Sequence, residues 1–201
     1  AYYTDDGICP ADTSTSTIMQ QLVTALKEQG ATMIAKAPPL TSETQKLLFE
    51  TFIQGGDGGA WQKDMLKQMH LAKPSALFAK TIAAAEQIQF SVTELRNRFA
   101  EIEALEYQMQ EFMQTIDIIL SPTTATAAFA HGESHQRLQQ LLYPSYYNLL
   151  GNPAITVPCG QNAAGMPIGL MVVGRKWQDE FLLSVAAIIE EISGGYQAPD
   201  L

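Results

Sequence analysis

The sequence predicts an α/β protein, a mixed sheet flanked by helices. Three observations carry this. The chain opens on a strand–helix–strand pattern, its middle is filled with amphipathic helical stretches, and two short unbroken apolar runs near its end read as buried strands. With 201 residues, 46% of them hydrophobic and 16% charged, the composition is that of a globular chain, and the length fits one domain over residues 1–201.

Taken in order, Ala1 to Thr4 is aromatic and strand-like, and Asp5-Asp6-Gly7 stops it. A helix is expected to start near Ser14 or Ser16. Ile18, Leu22, Val23, Ala25 and Leu26 form its inner face, and Gly30 breaks it. Ala31 to Ala37 reads as a second strand closed by Pro38-Pro39, so the unit predicts parallel pairing with the helix on one face. Thr41 is a candidate N-cap for a helix that buries Leu47, Leu48, Phe52 and Ile53. The glycine-rich run from Gly55 to Gly59 separates it from short helices over Trp61 to Met69 and Pro74 to Gln87, with Pro74 at a first helical position.

The longest helix is expected from Ser91 to Thr115. Its stripe of Leu95, Phe99, Ile102, Leu105, Met109 and Phe112 runs on to Ile116 at helical spacing. Asp117 to Thr124 reads as a strand ending in a proline turn. A polar loop carries His131 and His135, and Gln136 to Leu150 reads as one helix stopped by Gly151. Ala154 to Pro158 and Ile168 to Val173 are the apolar runs, expected to be buried on both faces. The short turn between them suits a hairpin, and a helix over Glu180 to Ile192 ends at Gly194-Gly195.

The 12 Lys and Arg against 21 Asp and Glu give a net charge of −9, with the cations scattered. A nucleic-acid binder needs a cationic stripe, so neither nucleic acid nor an anionic membrane is an expected partner. No apolar run approaches the ~20 residues that span a bilayer. Cys9 and Cys159 cannot form a disulfide framework and read as free thiols of a reduced compartment, so a cytoplasmic location is expected. No Cys-x-x-Cys occurs, and Gly132 sits in the polar stretch between His131 and His135, so neither a metal site nor a cofactor is expected. The chain opens without Met or a cationic leader, directly on a strand-like segment, which is the expectation for a piece of something longer.

Four chemistries can be held against the residues. The glycine-rich run lies between helices and lacks Gly-Lys-Ser/Thr, so it reads as a turn and not a phosphate loop. None of the ten serines sits in Gly-x-Ser-x-Gly. Cys159 falls at a strand end, with a histidine available from the loop, but nothing beside it would lower a thiol pKa. The acidic pairs Asp5-Asp6 and Asp179-Glu180 read as a turn and a helix first turn. The residues alone offer core and pocket material without a nucleophile.

Three stretches in order resemble the C-terminal part of the amidase signature family: Asp117-Ile-Ile-Leu-Ser-Pro-Thr123, then Tyr143-Pro-Ser-Tyr-Tyr-Asn-Leu-Leu-Gly-Asn-Pro-Ala-Ile-Thr-Val-Pro-Cys-Gly160, then Gly165-Met-Pro-Ile-Gly-Leu-Met-Val-Val-Gly174. The opening Ala1-Tyr-Tyr-Thr-Asp-Asp-Gly7, Pro38-Pro39 and Asp57-Gly58-Gly59 are similar to its central elements. The likeness takes in nearly the whole chain but only the C-terminal half of a family member. It implies carboxamide hydrolysis by a serine nucleophile, a bridging serine and a lysine base, with amides that bind an oxyanion. In the family these stand in a Gly/Ser-rich stretch of the N-terminal half. This sequence has no Ser-Ser pair, and none of its eight lysines lies near such a stretch, so no catalytic residue is carried over.

What the resemblance does assign is part of a substrate pocket. Leu138, Leu141 and Ser145 step along one face of the expected 136–150 helix, whose counterpart in the fatty-acid-amide-hydrolysing branch faces the acyl channel. Trp177 resembles a pocket tryptophan of that branch. The implied partners are a small-molecule amide substrate in the full-length protein and the N-terminal catalytic half of the same protein. A homo-oligomer is a third candidate, because a missing half leaves an apolar face or sheet edge to cover. The alternative is a non-catalytic small-molecule-binding or protein-interaction module derived from the amidase fold. A Cys159-dependent hydrolase is a more distant one.

Overall fold

The computed structural model describes residues 1–134 and 136–198, so His135 lies outside the described residues. The fold is α/β, and the chain divides into two compact units, 1–41 with 108–201, and 42–107.

In the first unit Asp12 caps helix α1 (Thr13–Glu28) by accepting the Thr15 N–H at 2.8 Å, so the helix begins slightly earlier than its serines indicated. Ile18, Met19, Leu22, Val23 and Leu26 form its buried face. The chain turns at Gly30 (φ 92°) and returns beside its own start. Tyr2 donates to Ile34 O at 2.9 Å and accepts from Lys36 N at 3.0 Å, a parallel bridge as the strand–helix–strand reading requires. Tyr2 also bridges Leu120 in parallel. Strands β1 (Ile119–Pro122), β2 (Ala154–Gln161) and β3 (Pro167–Val173) follow in the order β1-β3-β2, both pairings antiparallel. The bridges and the ladder together make the sheet mixed.

Strand β3 is central, and from Leu170 to Val173 every residue is buried. Both of its faces are covered there, which explains its unbroken apolar run. Strand β2 corrects the expectation made for it. It lies at the edge of the described sheet, only Val157 is fully buried, and Ala154 and Thr156 are exposed. The ladder slips between Pro158 and Gly160, so Cys159 is the extra residue of a bulge. Helix α7 (Asp179–Ser193) and α1 cover one sheet face, where Leu120, Val157, Leu170 and Val172 meet Ile18, Leu22, Leu182 and Ile189.

The expected 136–150 helix is in fact two elements. Leu138–Leu141 is a single 3₁₀ turn, and α6 (Tyr143–Leu150) starts afresh. Pro144 is the cause: it has no N–H for the preceding turn and its ring obstructs the carbonyl four residues back, so it sits in the first turn of a new helix. Gly151 (φ 68°) closes α6.

In the second unit α2 (Ser42–Leu48) buries Leu47 and Leu48, but the chain continues as a π turn over Phe49–Ile53. The wider turn rotates the residues after it, leaving Phe52 and Ile53 exposed and Thr51 inside, against the expectation. The glycine-rich turn follows. A Cβ at Gly56 would lie 2.1 Å from the Phe90 ring, and Asp57 caps the next helix, α3 (Ala60–Gln68), through the N–H groups of Ala60 and Trp61 at 3.1 and 2.9 Å. Ser75 caps α4 (Ala76–Ala85), placing Pro74 one residue before the cap and not inside the helix. Helix α5 (Val92–Phe112), whose residues from Gln108 on belong to the first unit, opens on a reciprocal cap: Ser91 Oγ accepts from Glu94 N at 3.2 Å, and Glu94 Oε2 accepts from Ser91 N at 2.7 Å. Of its expected stripe, Ile102 and Met109 are buried while Phe99 is exposed.

Candidate functional site

Opposite the α1–α7 face, α6 sets Tyr143, Tyr146 and Tyr147 against the start of the chain. The spacing of three and four puts all three rings on one helix face, and each is at most 1% exposed. A buried phenol needs a partner for its hydroxyl, and each has one. The Tyr3 and Tyr147 hydroxyls lie 2.9 Å apart, with Ser121 Oγ interacting with both. Tyr143 Oη donates to the carbonyls of Thr4 (3.1 Å) and Cys9 (2.8 Å), and its ring stacks on Tyr3 at 6.0 Å. Tyr146 Oη donates to Asp6 Oδ2 at 3.2 Å, while Asp6 Oδ1 accepts from the N–H groups of Ile8 (2.9 Å) and Cys9 (2.8 Å). Asp6 therefore organises the loop and is not one half of an acid pair.

Burial pushes the Tyr3 phenol up to about 12 and raises Tyr143, Tyr146 and Tyr147 as well, with the Asp6 charge adding to the rise at Tyr143 and Tyr146. All four stay protonated at neutral pH. The network orients backbone around the Asp6 carboxylate, whose oxygens are already taken up by Tyr146 Oη and the N–H groups of Ile8 and Cys9.

At the far end of β1 a polar rim meets the 3₁₀ turn. Thr123 and Thr156 hydroxyls lie 3.1 Å apart on the exposed side of the sheet. Ala125 N donates to Gln140 O at 2.8 Å and Thr126 Oγ1 to Gln140 Oε1 at 3.2 Å, which ties the Leu138–Leu141 turn to the strand end. Leu138 is exposed and Leu141 half-buried beside this rim. Ser145 lies beyond Pro144, its hydroxyl donating to Leu142 O. A hydroxyl so engaged, in a helix first turn, is not poised for attack.

Trp177 stands elsewhere, almost fully exposed and with φ 66°, at the edge of an open depression of about 730 Å³ formed with Asp117 and residues 178–181. None of the other three expected pocket residues lines that depression. Cys159 donates to Val157 O at 3.3 Å, and burial pushes its thiol up; burial and the nearby Asp6 and Asp5 charges raise Cys9. Neither is a ready thiolate. Among the described residues no group of three His, Cys, Asp or Glu could hold a metal ion, and no helix is long and apolar enough to cross a membrane. The tyrosine network was the part missed from sequence. Its signal was the Tyr143, Tyr146, Tyr147 spacing, three hydroxyls on one face that must each find a partner.

The Amidase family model matches residues 1–183. The chain is similar to the fatty acid amide hydrolase of Oryza sativa subsp. indica, at 41% identity over 95 residues, which is 43% of this chain and 16% of that protein. It is also similar to a glutamyl-tRNA(Gln) amidotransferase subunit of Azorhizobium caulinodans, with 35% identity over 95 residues, or 45% and 19%. Among solved structures, a fatty acid amide hydrolase superposes with a TM-score of 0.77 at 22% identity, over 96% of this chain and 39% of that one. A 6-aminohexanoate cyclic dimer hydrolase complexed with substrate gives 0.76 at 18% identity, over 96% and 44%. The matched stretch is under a fifth of the length of these two curated relatives, and about two fifths of that of these two solved chains.

Proposed function

The chain belongs to the amidase family, and we propose that it is the C-terminal part of a carboxamide hydrolase, supplying scaffold and part of the substrate pocket while the attacking hydroxyl and its base stand on polypeptide outside these 201 residues. One observation carries this reading: the fold match takes in 96% of the chain but only 39% of the fatty acid amide hydrolase.

Amide hydrolysis needs a nucleophile with a base in hydrogen-bond reach and donors for the developing oxyanion. The hydroxyls and thiols placed above are engaged with carbonyls or with one another, or are held protonated. What the chain contributes instead is position. The Tyr–Asp6 network fixes the 5–9 loop and α6, and the threonine rim fixes the 138–141 turn. In this reading Leu138, Leu141, Ser145 and Trp177 face the substrate, as two separate wall segments. Exposed apolar side chains at Leu138 and Trp177 are consistent with surfaces meant to be covered by substrate or by the rest of the enzyme. The partner is then the N-terminal catalytic half of the same protein.

The test compares this chain with the whole gene product on a panel of carboxamides: a long-chain fatty amide, glutamine and a short aliphatic amide. Ammonia release is expected from the whole protein and none from the 201-residue chain. Turnover by the purified chain alone, abolished by replacing one of its serines or Cys159, would overturn the reading.

A further inference from the structure

Where β1 gives way to the loop that meets the Leu138–Leu141 turn, the polar rim can be read proton by proton. Thr124 Oγ1 donates to Thr126 O at 2.7 Å, and Thr126 Oγ1 donates to Gln140 Oε1 at 3.2 Å. The backbone of Gln140 is held as well, its N–H donating to Arg137 O at 3.0 Å and its carbonyl accepting from Ala125 N at 2.8 Å. The Thr126 hydroxyl has no other acceptor among the described residues, which fixes the amide plane with Oε1 turned toward it. Both protons on Gln140 Nε2 then point away from Thr126, and neither is donated to an acceptor among the described residues. Glu133 and Arg137, just before the turn, pair with each other at 3.0 Å. Elsewhere on the rim the Thr123 and Thr156 hydroxyls share a single hydrogen bond at 3.1 Å, so one of their two protons also stays uncommitted. What the rim has left over is the capacity to donate.

We propose that Gln140 Nε2 is a specificity-determining donor of the amidase, binding a carbonyl oxygen carried on the acyl chain of the substrate where that chain runs along Leu138 and Leu141. The proposal rests on the reading of this turn as pocket wall. In a 3₁₀ turn, residues three apart eclipse, so Leu138 and Leu141 stand on one side as an apolar ridge. Gln140 is set off from them by about a third of a turn, on the side of Thr126. An acyl chain packed on the ridge is flanked by this one amide. A threonine hydroxyl can accept as well as donate, whereas an amide nitrogen only donates, so Gln140 sets the sign of the contact. Three hydrogen bonds hold the residue before any ligand arrives, which leaves little rotamer freedom to lose on binding. A chain without an oxygen at that point strips water from the amide and returns no acceptor, and this separates two acyl groups of equal length.

The test gives the whole gene product octanamide and its four isomeric ketones with the oxo group on carbons four to seven. At least one ketone is expected to exceed octanamide in kcat/KM by about fivefold, with the gain in KM. Gln140→Glu keeps the length of the side chain and an oxygen for the Thr126 proton, but replaces both N–H donors with a second oxygen. It is expected to bring that ratio to one or below, an outcome that a purely structural role for Gln140 does not produce. Thr126→Val leaves the donors in place but frees the amide to rotate, and is expected to lose part of the preference, again in KM. No ketone favoured over octanamide, or a preference that survives Gln140→Glu, overturns the proposal. The underlying reading is judged separately. If the whole protein hydrolyses no carboxamide, that reading fails, and an NMR titration of the Gln140 side-chain amide with the same five compounds decides the contact. A shift with a ketone and none with octanamide supports it, and no shift with any ketone overturns it.

Discussion

On one face of the β1-β3-β2 sheet, α1 and α7 press Ile18, Leu22, Leu182 and Ile189 against Leu120, Leu170 and Val172. On the other, α6 sets three tyrosines against Tyr3, Ser121 and Asp6. Both faces are buried, but they hold together by different means. The aliphatic face depends on area removed from water, which has no direction and tolerates exchange of one branched side chain for another. The tyrosine face depends on each hydroxyl finding one partner at one angle, so it specifies position. The directional face carries the loops that lead toward the rim of the candidate site. The non-directional face carries helices α1 and α7.

That contrast can be broken at its strongest point first. Leu170 is fully buried in the central strand. Leu170→Ala is expected to cost about 2–5 kcal/mol of unfolding free energy by urea titration, from lost transfer energy and the cavity left behind. A loss below about 1 kcal/mol would mean that the aliphatic face is not what holds the sheet.

The second prediction separates the faces by pH. Below pH 10 the Tyr3 phenol is protonated whether the chain is folded or unfolded, so its contribution is complete. Above pH 10 the unfolded chain releases the proton, while the folded chain holds it to about 12. Stability falls by ~1.4 kcal/mol per pH unit across that window, ~3 kcal/mol in all from this group. Tyr143, Tyr146 and Tyr147 shift in the same direction and steepen the loss. Urea midpoints between pH 9 and 12 measure it. Tyr3→Phe is expected to be the shallower curve, and parallel curves would assign the alkaline loss to other groups.

The smallest effect sharpens the comparison at the edge of the aliphatic face. Asp12→Ala removes the α1 cap and is expected to cost about 1 kcal/mol, with Asp12→Asn close to the original protein. Equal losses for both variants would assign the role of Asp12 to its charge and not to the hydrogen bond it accepts.

The aliphatic face was the legible one. The period of Ile18, Leu22 and Leu26 and the unbroken run from Ile168 to Val173 announce their elements, because burial leaves a pattern in composition. The family likeness was also legible, through the order of three short stretches that the Amidase match over residues 1–183 bears out. What could not be read depended on geometry without a pattern. A π turn after Leu48 rotates Phe52 and Ile53 outward, although their spacing is that of a buried stripe. The exposed side of β2 depends on what covers it, and its sequence is as apolar as that of a strand covered on both sides. At the site, Leu138, Leu141 and Ser145 have helical spacing in the sequence, and only the weight given to Pro144 decides that they do not share a helix.

That proline has a consequence for how such a wall can change over evolutionary time. Since α6 receives no helical hydrogen-bond ladder from the turn before it, the side chains of Leu138, Gln139 and Leu141 can be exchanged without transmitting strain into the three tyrosines behind them, while Gln140 holds the turn to Thr126. If the proposed pocket role of this turn holds, a library confined to Leu138, Gln139 and Leu141, with Gln140 kept for its bond to Thr126, alters specificity while leaving α6 as it stands.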